Sequence, residues 1–156
     1  MGQLTERAFV ACPYHRAREY LAAGVGERIN SGEAMTLRVP LAGIELKKDV
    51  VVTFSPGIDP MHMDQPWRVH WTPEGGGPYP DFDGELTVRA DEDYTSSVLE
   101  LVGDYRPPGG ALGQAFDAVV GSHIATLTAR NLLKRLGDEF EARYGTEEEQ
   151  KRHEKG

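Results

Sequence analysis

The chain has 156 residues, a formal net charge of −8 and a sequence pI near 5.1, so its surface repels phosphate backbones and nucleic acid is not expected as a partner. Apolar residues make up 39% and charged residues 27%, the balance of one globular domain large enough to fold around a core without disulfides or metal. The single cysteine, Cys12, excludes a disulfide framework and a thiolate metal cage, and it fits a reducing compartment.

No apolar run reaches the length of a membrane span. The opening Met1-Gly2-Gln3-Leu4-Thr5-Glu6 has neither the basic start nor the apolar core of a secretion signal, and Glu6 breaks the myristoylation pattern. A cytoplasmic protein is therefore expected.

Taken in chain order, Leu4 to Ala11 holds apolar and β-prone residues and predicts a first strand, which Cys12-Pro13 interrupts. Pro is at home in the first turn of a helix, so Tyr14 to Ala23 predicts a short helix closed by Gly24, with another turn possible across Gly26 to Gly32. Five period-two segments follow. Leu37, Val39 and Leu41 alternate with Thr36, Arg38 and Pro40, and Val50, Val52 and Phe54 with Asp49, Val51 and Thr53. Trp67, Val69 and Trp71 share one face, with Arg68, His70 and Thr72 on the other. Phe82, Gly84, Leu86 and Val88 then oppose Asp83, Glu85, Thr87 and Arg89, and Leu99, Leu101, Gly103 and Tyr105 oppose Val98, Glu100, Val102 and Asp104. Such alternation, one face dry and one wet, predicts an antiparallel sheet. Asp91-Glu92-Asp93 is short enough to turn a hairpin.

After Pro107-Pro108-Gly109-Gly110 the period changes to that of a helix. Leu112, Phe116, Val119, Val120, His123, Leu127, Leu132, Leu136 and Phe140 form one slowly rotating stripe. A helix from Ala111 to Arg143 would be ~50 Å long, and only the sheet is large enough to receive it. Residues 145–156 are charged throughout and predict a frayed or disordered tail, leaving residues 1–144 as the folded domain.

This order resembles the START-like helix-grip superfamily (SRPBCC), which includes polyketide cyclases, pollen-allergen-like proteins and lipid-transfer domains. "FVACPYHRAREYLA" is similar to that group's first strand and Pro-led helix. "FDGELTVRADEDYTSSVLELVGDY" resembles its penultimate hairpin, and "ELVGDYRPPGGALGQAFDAVVGSHIATLTARNLLKRL" its last strand, Pro-rich turn and long helix. The resemblance implies an α+β helix-grip fold, a curved antiparallel sheet wrapped around the C-terminal helix with an apolar cavity between them. Its motifs are structural and the superfamily has no universal catalytic residues, so it implies no catalytic residue here.

The candidate ligand-binding residues are Trp67, Trp71, Phe82, Tyr105, Phe116, Val120, His123 and Leu127. Aromatic walls supply contact area, and Trp or Tyr adds one orienting hydrogen bond, although core packing uses the same residues. His123, on the sheet-facing stripe, is read as a polar contact or proton donor, against the alternative of a packed histidine. Asp59, His62 and Asp64 match no defined metal site, Ser122 and His123 point about 100° apart as helical neighbours, and Gly75 to Gly77 lack the lysine and helix of a phosphate loop. No cofactor is expected. The expected partner is a small apolar or amphipathic molecule, with a homodimer left open. The rival readings are a polyketide cyclase or dehydratase using the same cavity, with His123 or Tyr105 as acid–base groups, and a chaperone-activator-like interaction module.

Overall fold

The computed structural model describes residues 2–31, 35–41, 44–55, 67–73, 80–106 and 118–155. In chain order the elements are β1 (Gly2–Val10), α1 (Tyr14–Ser31), β2 (Met35–Leu41), β3 (Ile44–Ser55), β4 (Trp67–Pro73), β5 (Asp81–Ala90), β6 (Ser97–Arg106) and α2 (Ala118–Lys155). The period-two segments are all strands, and every pairing is antiparallel.

The six strands form one sheet in the order β1-β6-β5-β4-β3-β2. The segment carrying Pro40, which cannot donate to a ladder on both sides, thus falls at an edge. Laid flat, the five spacings at ~4.8 Å would put β1 and β2 ~24 Å apart, well beyond the ~10 Å breadth of one helix. Yet α2 packs on β1 and β6 at one margin and also on β2 at the other. The sheet must therefore curl around α2, and its central strands recede from the helix axis.

The concave face carries Leu4, Val10, Val50, Val52, Phe54, Val69, Trp71, Phe82, Leu86, Leu99 and Leu101, all buried. The convex face carries charge. Arg7 pairs with Glu100 directly across β1 and β6, Arg89 approaches the same carboxylate at 3.9 Å, and His70 Nδ1 stands 3.3 Å from Asp83. His70 faces outward, opposite Trp67 and Trp71, as the alternation predicts.

The α1 helix begins on Pro13, whose carbonyl accepts from the N–H groups of Arg16 and Ala17. It does not stop at Gly24 but runs through both glycines to Ser31. At the β5–β6 hairpin, Tyr94 adopts a φ of 57°, and its carbonyl accepts from the Tyr14 N–H, one of the donors a helix start leaves unpaired.

Two expectations about α2 are corrected. The helix does not fray near Arg143; it passes Gly145 and continues to Lys155. Glu147, in the segment expected to be loose, accepts from the Tyr20 hydroxyl at 2.5 Å and approaches Arg16 at 3.9 Å. The dry face also differs from the expected stripe. Ile124, Ala125, Thr128, Ala129, Leu132, Leu133, Leu136 and Phe140 are buried, whereas His123 is exposed and Leu127 only half-buried. The cause is close approach: small Ala125 and Ala129 take the inner face because they let the helix axis come near the strands. Gly137 does the same at Val10, where a Cβ would stand 3.2 Å from Val10 Cγ2. The part of the expected helix at residues 111–117 lies outside the described residues.

Candidate ligand-binding site

One row of register partners crosses the whole sheet: Gly2, Tyr105, Phe82, Trp71, Val52 and Met35. It gathers three of the expected site residues, Trp71, Phe82 and Tyr105, because neighbouring strands place partners of equal parity on one face. Trp71 and Phe82 are stacked, with ring centroids 4.1 Å apart and planes 16° from parallel. Both are buried, and Tyr105 is half-buried against the core they belong to.

The neighbouring row explains how such rings fit. Gly84 and Gly103 face each other across β5 and β6. A Cβ on Gly103 would stand 2.5 Å from the Gly84 Cα and 2.6 Å from Phe82 Cζ. The Phe82 ring thus lies down over bare backbone, and the Tyr105 ring covers Gly2 in the same way. Glycine inside a strand, usually a weak point, here gives the rings room. The Gly84 and Gly103 positions were legible in the sequence as breaks in two otherwise apolar strand faces.

The row can be placed along the helix. β1 and α2 run the same way, since Glu6 Oε1 meets Arg130 Nε at 2.7 Å, Gly137 lies on Val10, and Glu141 Oε1 accepts from the Ala11 N–H at 2.8 Å. From Glu6 back to Gly2 is ~14 Å of strand, or about nine helical residues. The aromatic row therefore stands level with the opening turns of α2. At that level His123 points outward and is exposed, so the structure does not bring it to the row. Trp67 is half-buried two rows away, paired with Leu86, and Leu127 flanks the dry face. Phe116 and the side chain of Val120 lie outside the described residues, as does the segment holding Asp59, His62 and Asp64.

Among the described residues, polar groups on the concave side are few. Ser97, fully buried, donates to the Cys12 carbonyl, and Thr128 donates to the Ile124 carbonyl at 2.8 Å. Glu6 is held by Arg130 at the margin. Among the described residues, one buried side-chain polar atom has no hydrogen-bond partner: Nε1 of Trp71.

A second polar cluster lies at the far end of α2. Burial, with the Glu141 and Glu147 carboxylates nearby, pushes the Cys12 thiol up to about 11. Burial and the Glu147 hydrogen bond likewise raise Tyr20 above the usual phenol range. The Tyr20 ring also packs on Phe140 and beneath the Arg143 guanidinium, 5.0 Å from its centroid. The phenol, held protonated, joins α1 to α2, and the thiol just before α1 is held neutral; neither is poised for chemistry. Among the described residues no group of His, Cys, Asp and Glu is arranged to hold a metal, and no helix is long and apolar enough to cross a membrane.

The geometry has solved counterparts. The ZhuI aromatase/cyclase from Streptomyces sp. R1128 superposes with a TM-score of 0.54 at 18% identity, covering 91% of this chain and 94% of that one. This is the helix-grip fold. A conserved protein from Geobacillus kaustophilus matches with a TM-score of 0.55 at 12% identity, over 89% of this chain and 95% of that one. The Ara h 8.0201 structure matches at 0.52 with 10% identity, over 89% and 97%. At these identities the likeness is one of fold. No family model matches the chain, and no curated protein matches it in sequence. Helix-grip architecture accounts for the two facts derived above, a helix touching both margins of one sheet and central strands standing back from it.

Proposed function

We propose that the chain binds a small apolar or amphipathic molecule between the centre of the sheet and the opening turns of α2. The observation carrying this reading is that α2 packs on the two margins of the sheet while the inner row at its centre is built from broad rings, Trp71, Phe82 and Tyr105. A helix resting on both margins of a curved sheet stands off the sheet's centre, and spaces lined by aromatic side chains suit apolar ligands. Two of the fold neighbours, an aromatase/cyclase and Ara h 8.0201, show that very different proteins use this architecture, so the fold itself selects no chemistry.

A cyclase or dehydratase reading needs titratable groups converging on the same space. Among the described residues the concave carboxylate is Glu6, already paired with Arg130 at the margin, and His123 is turned outward. An interaction-module reading needs a continuous exposed apolar patch. Phe9 and Val102 are exposed on the convex face, but the Arg7–Glu100 pair separates their positions. Binding is therefore the reading the residues support best.

The test is native mass spectrometry of the purified protein, followed by saturation binding of a fatty acid and a polycyclic aromatic ketone. A co-purifying small molecule, or saturable one-to-one binding, supports the proposal. A protein that carries nothing and binds neither class refutes it.

A further inference from the structure

Trp71 is fully buried, lies on the concave face, and stacks against Phe82, so its ring is fixed from one side. The other buried polar side chains, Ser97 and Thr128, both spend their hydroxyls on backbone carbonyls. Among the described residues, only the Trp71 indole N–H is buried without an acceptor. A buried donor left unpaired is costly, and native interiors rarely tolerate one without a reason. Indole has a single donor and no acceptor capacity, so only an acceptor atom can satisfy it. The neighbours in the row, Val52 and Phe82, offer no side-chain acceptor.

We infer that the Trp71 indole N–H is the orienting hydrogen-bond donor of the binding site, and that the ligand class is a largely apolar ring system bearing a neutral oxygen acceptor, a ketone or an ester carbonyl, set against the aromatic row. This rests on the binding function proposed above and sharpens it. A plain hydrocarbon would fill the space but leave the N–H unpaired. A carboxylate is disfavoured, because among the described residues no cation lies in the row to offset its desolvation; Arg130 is at the margin, bound to Glu6.

The experiment uses two near-isosteric probes, 2-acetylnaphthalene and 2-isopropylnaphthalene, which share a ring system and differ in one oxygen. Affinities are measured by calorimetry, and the indole N–H signals of the protein's 2 tryptophans are followed by proton–nitrogen correlation spectra. The wild type is expected to bind the ketone roughly tenfold more tightly than the hydrocarbon, the return on pairing one buried donor. The ketone should also shift the Trp71 indole signal. Trp71→Phe should bind both probes alike, at about the affinity of the wild type for the hydrocarbon. Should the variant fail to fold, the wild-type ratio and the indole shift still decide. Equal affinities with an unmoved Trp71 signal would overturn this inference while leaving apolar binding in place. Binding of neither probe would overturn the proposed function itself, and this inference with it.

Discussion

The latch at the far end of α2 makes a quantitative prediction, because its two partners differ in how far water can replace them. Tyr20 is buried, whereas the Glu147 side chain keeps 35% of its exposure. Glu147→Ala therefore strands a buried hydroxyl and should cost ~1–2 kcal/mol, discounted from the value for a fully buried charged acceptor because water reaches the site. Tyr20→Phe removes the donor and leaves a carboxylate that solvent can satisfy, so its cost should stay below ~1 kcal/mol. The double variant should be no less stable than Glu147→Ala alone, since with the hydroxyl gone nothing is left unpaired. Truncation reports the same contact. Deleting residues 148–156 removes a segment whose described side chains, 148–154, are exposed or half-exposed and carry among them the surface pair Lys151–Glu148 at 3.3 Å, and should change stability by less than ~0.5 kcal/mol. Deleting residues 145–156 removes Glu147 as well and should lower the melting temperature by ~3–6 °C. Equilibrium denaturation with urea, reading midpoint and slope, measures all five variants. If both truncations cost the same, or if the two point substitutions add fully, the latch is not where the stability lies.

Gly103→Ala should destabilise by ~1–3 kcal/mol, because the new methyl meets the Gly84 backbone and the Phe82 ring, and only the ring can yield; thermal denaturation with an unchanged midpoint would show that the two strands part at no cost. With a folded-state thiol at about 11 against 9.0 unfolded, Cys12 stays protonated in the folded chain while the unfolded thiol ionises. Its contribution is therefore complete below pH 9 and is lost as pH rises toward 11, by up to ~2 kcal/mol. The stability difference between wild type and Cys12→Ala should shrink over that window, and parallel pH curves would refute it. His123→Leu, on an exposed position of α2, should alter stability by less than ~0.5 kcal/mol and leave probe affinity unchanged; a marked loss of binding would return this histidine to the site.

The sequence by itself determined the strands and the middle of α2, from Leu132 to Phe140. Each strand has one dry face, so Trp67, Val69 and Trp71, or Leu99 and Leu101, announce their side of the sheet through period two alone. Leu132, Leu136 and Phe140 announce the helix face through their size. Where close approach replaces bulk, that signal reverses. Ala125, Thr128 and Ala129 carry the inner face of the first half of α2, and a stripe read from large residues points to His123 instead. The unbroken run of α1 through Gly24, joining the turn expected across Gly26 to Gly32, and of α2 past Gly145 was likewise hidden, since local propensity argues for stopping at each glycine. Tertiary structure decided the rest: which strands form the margins, that one helix spans them, that the Phe82 ring lies over Gly84 and Gly103, and that, among the buried side-chain polar atoms of the described residues, Trp71 Nε1 is the one without a partner. The reason is physical. Periodicity records whether a residue is dry, but a hydrogen-bond partner is supplied by whatever other segment folds against it, and no pattern within one strand contains that information.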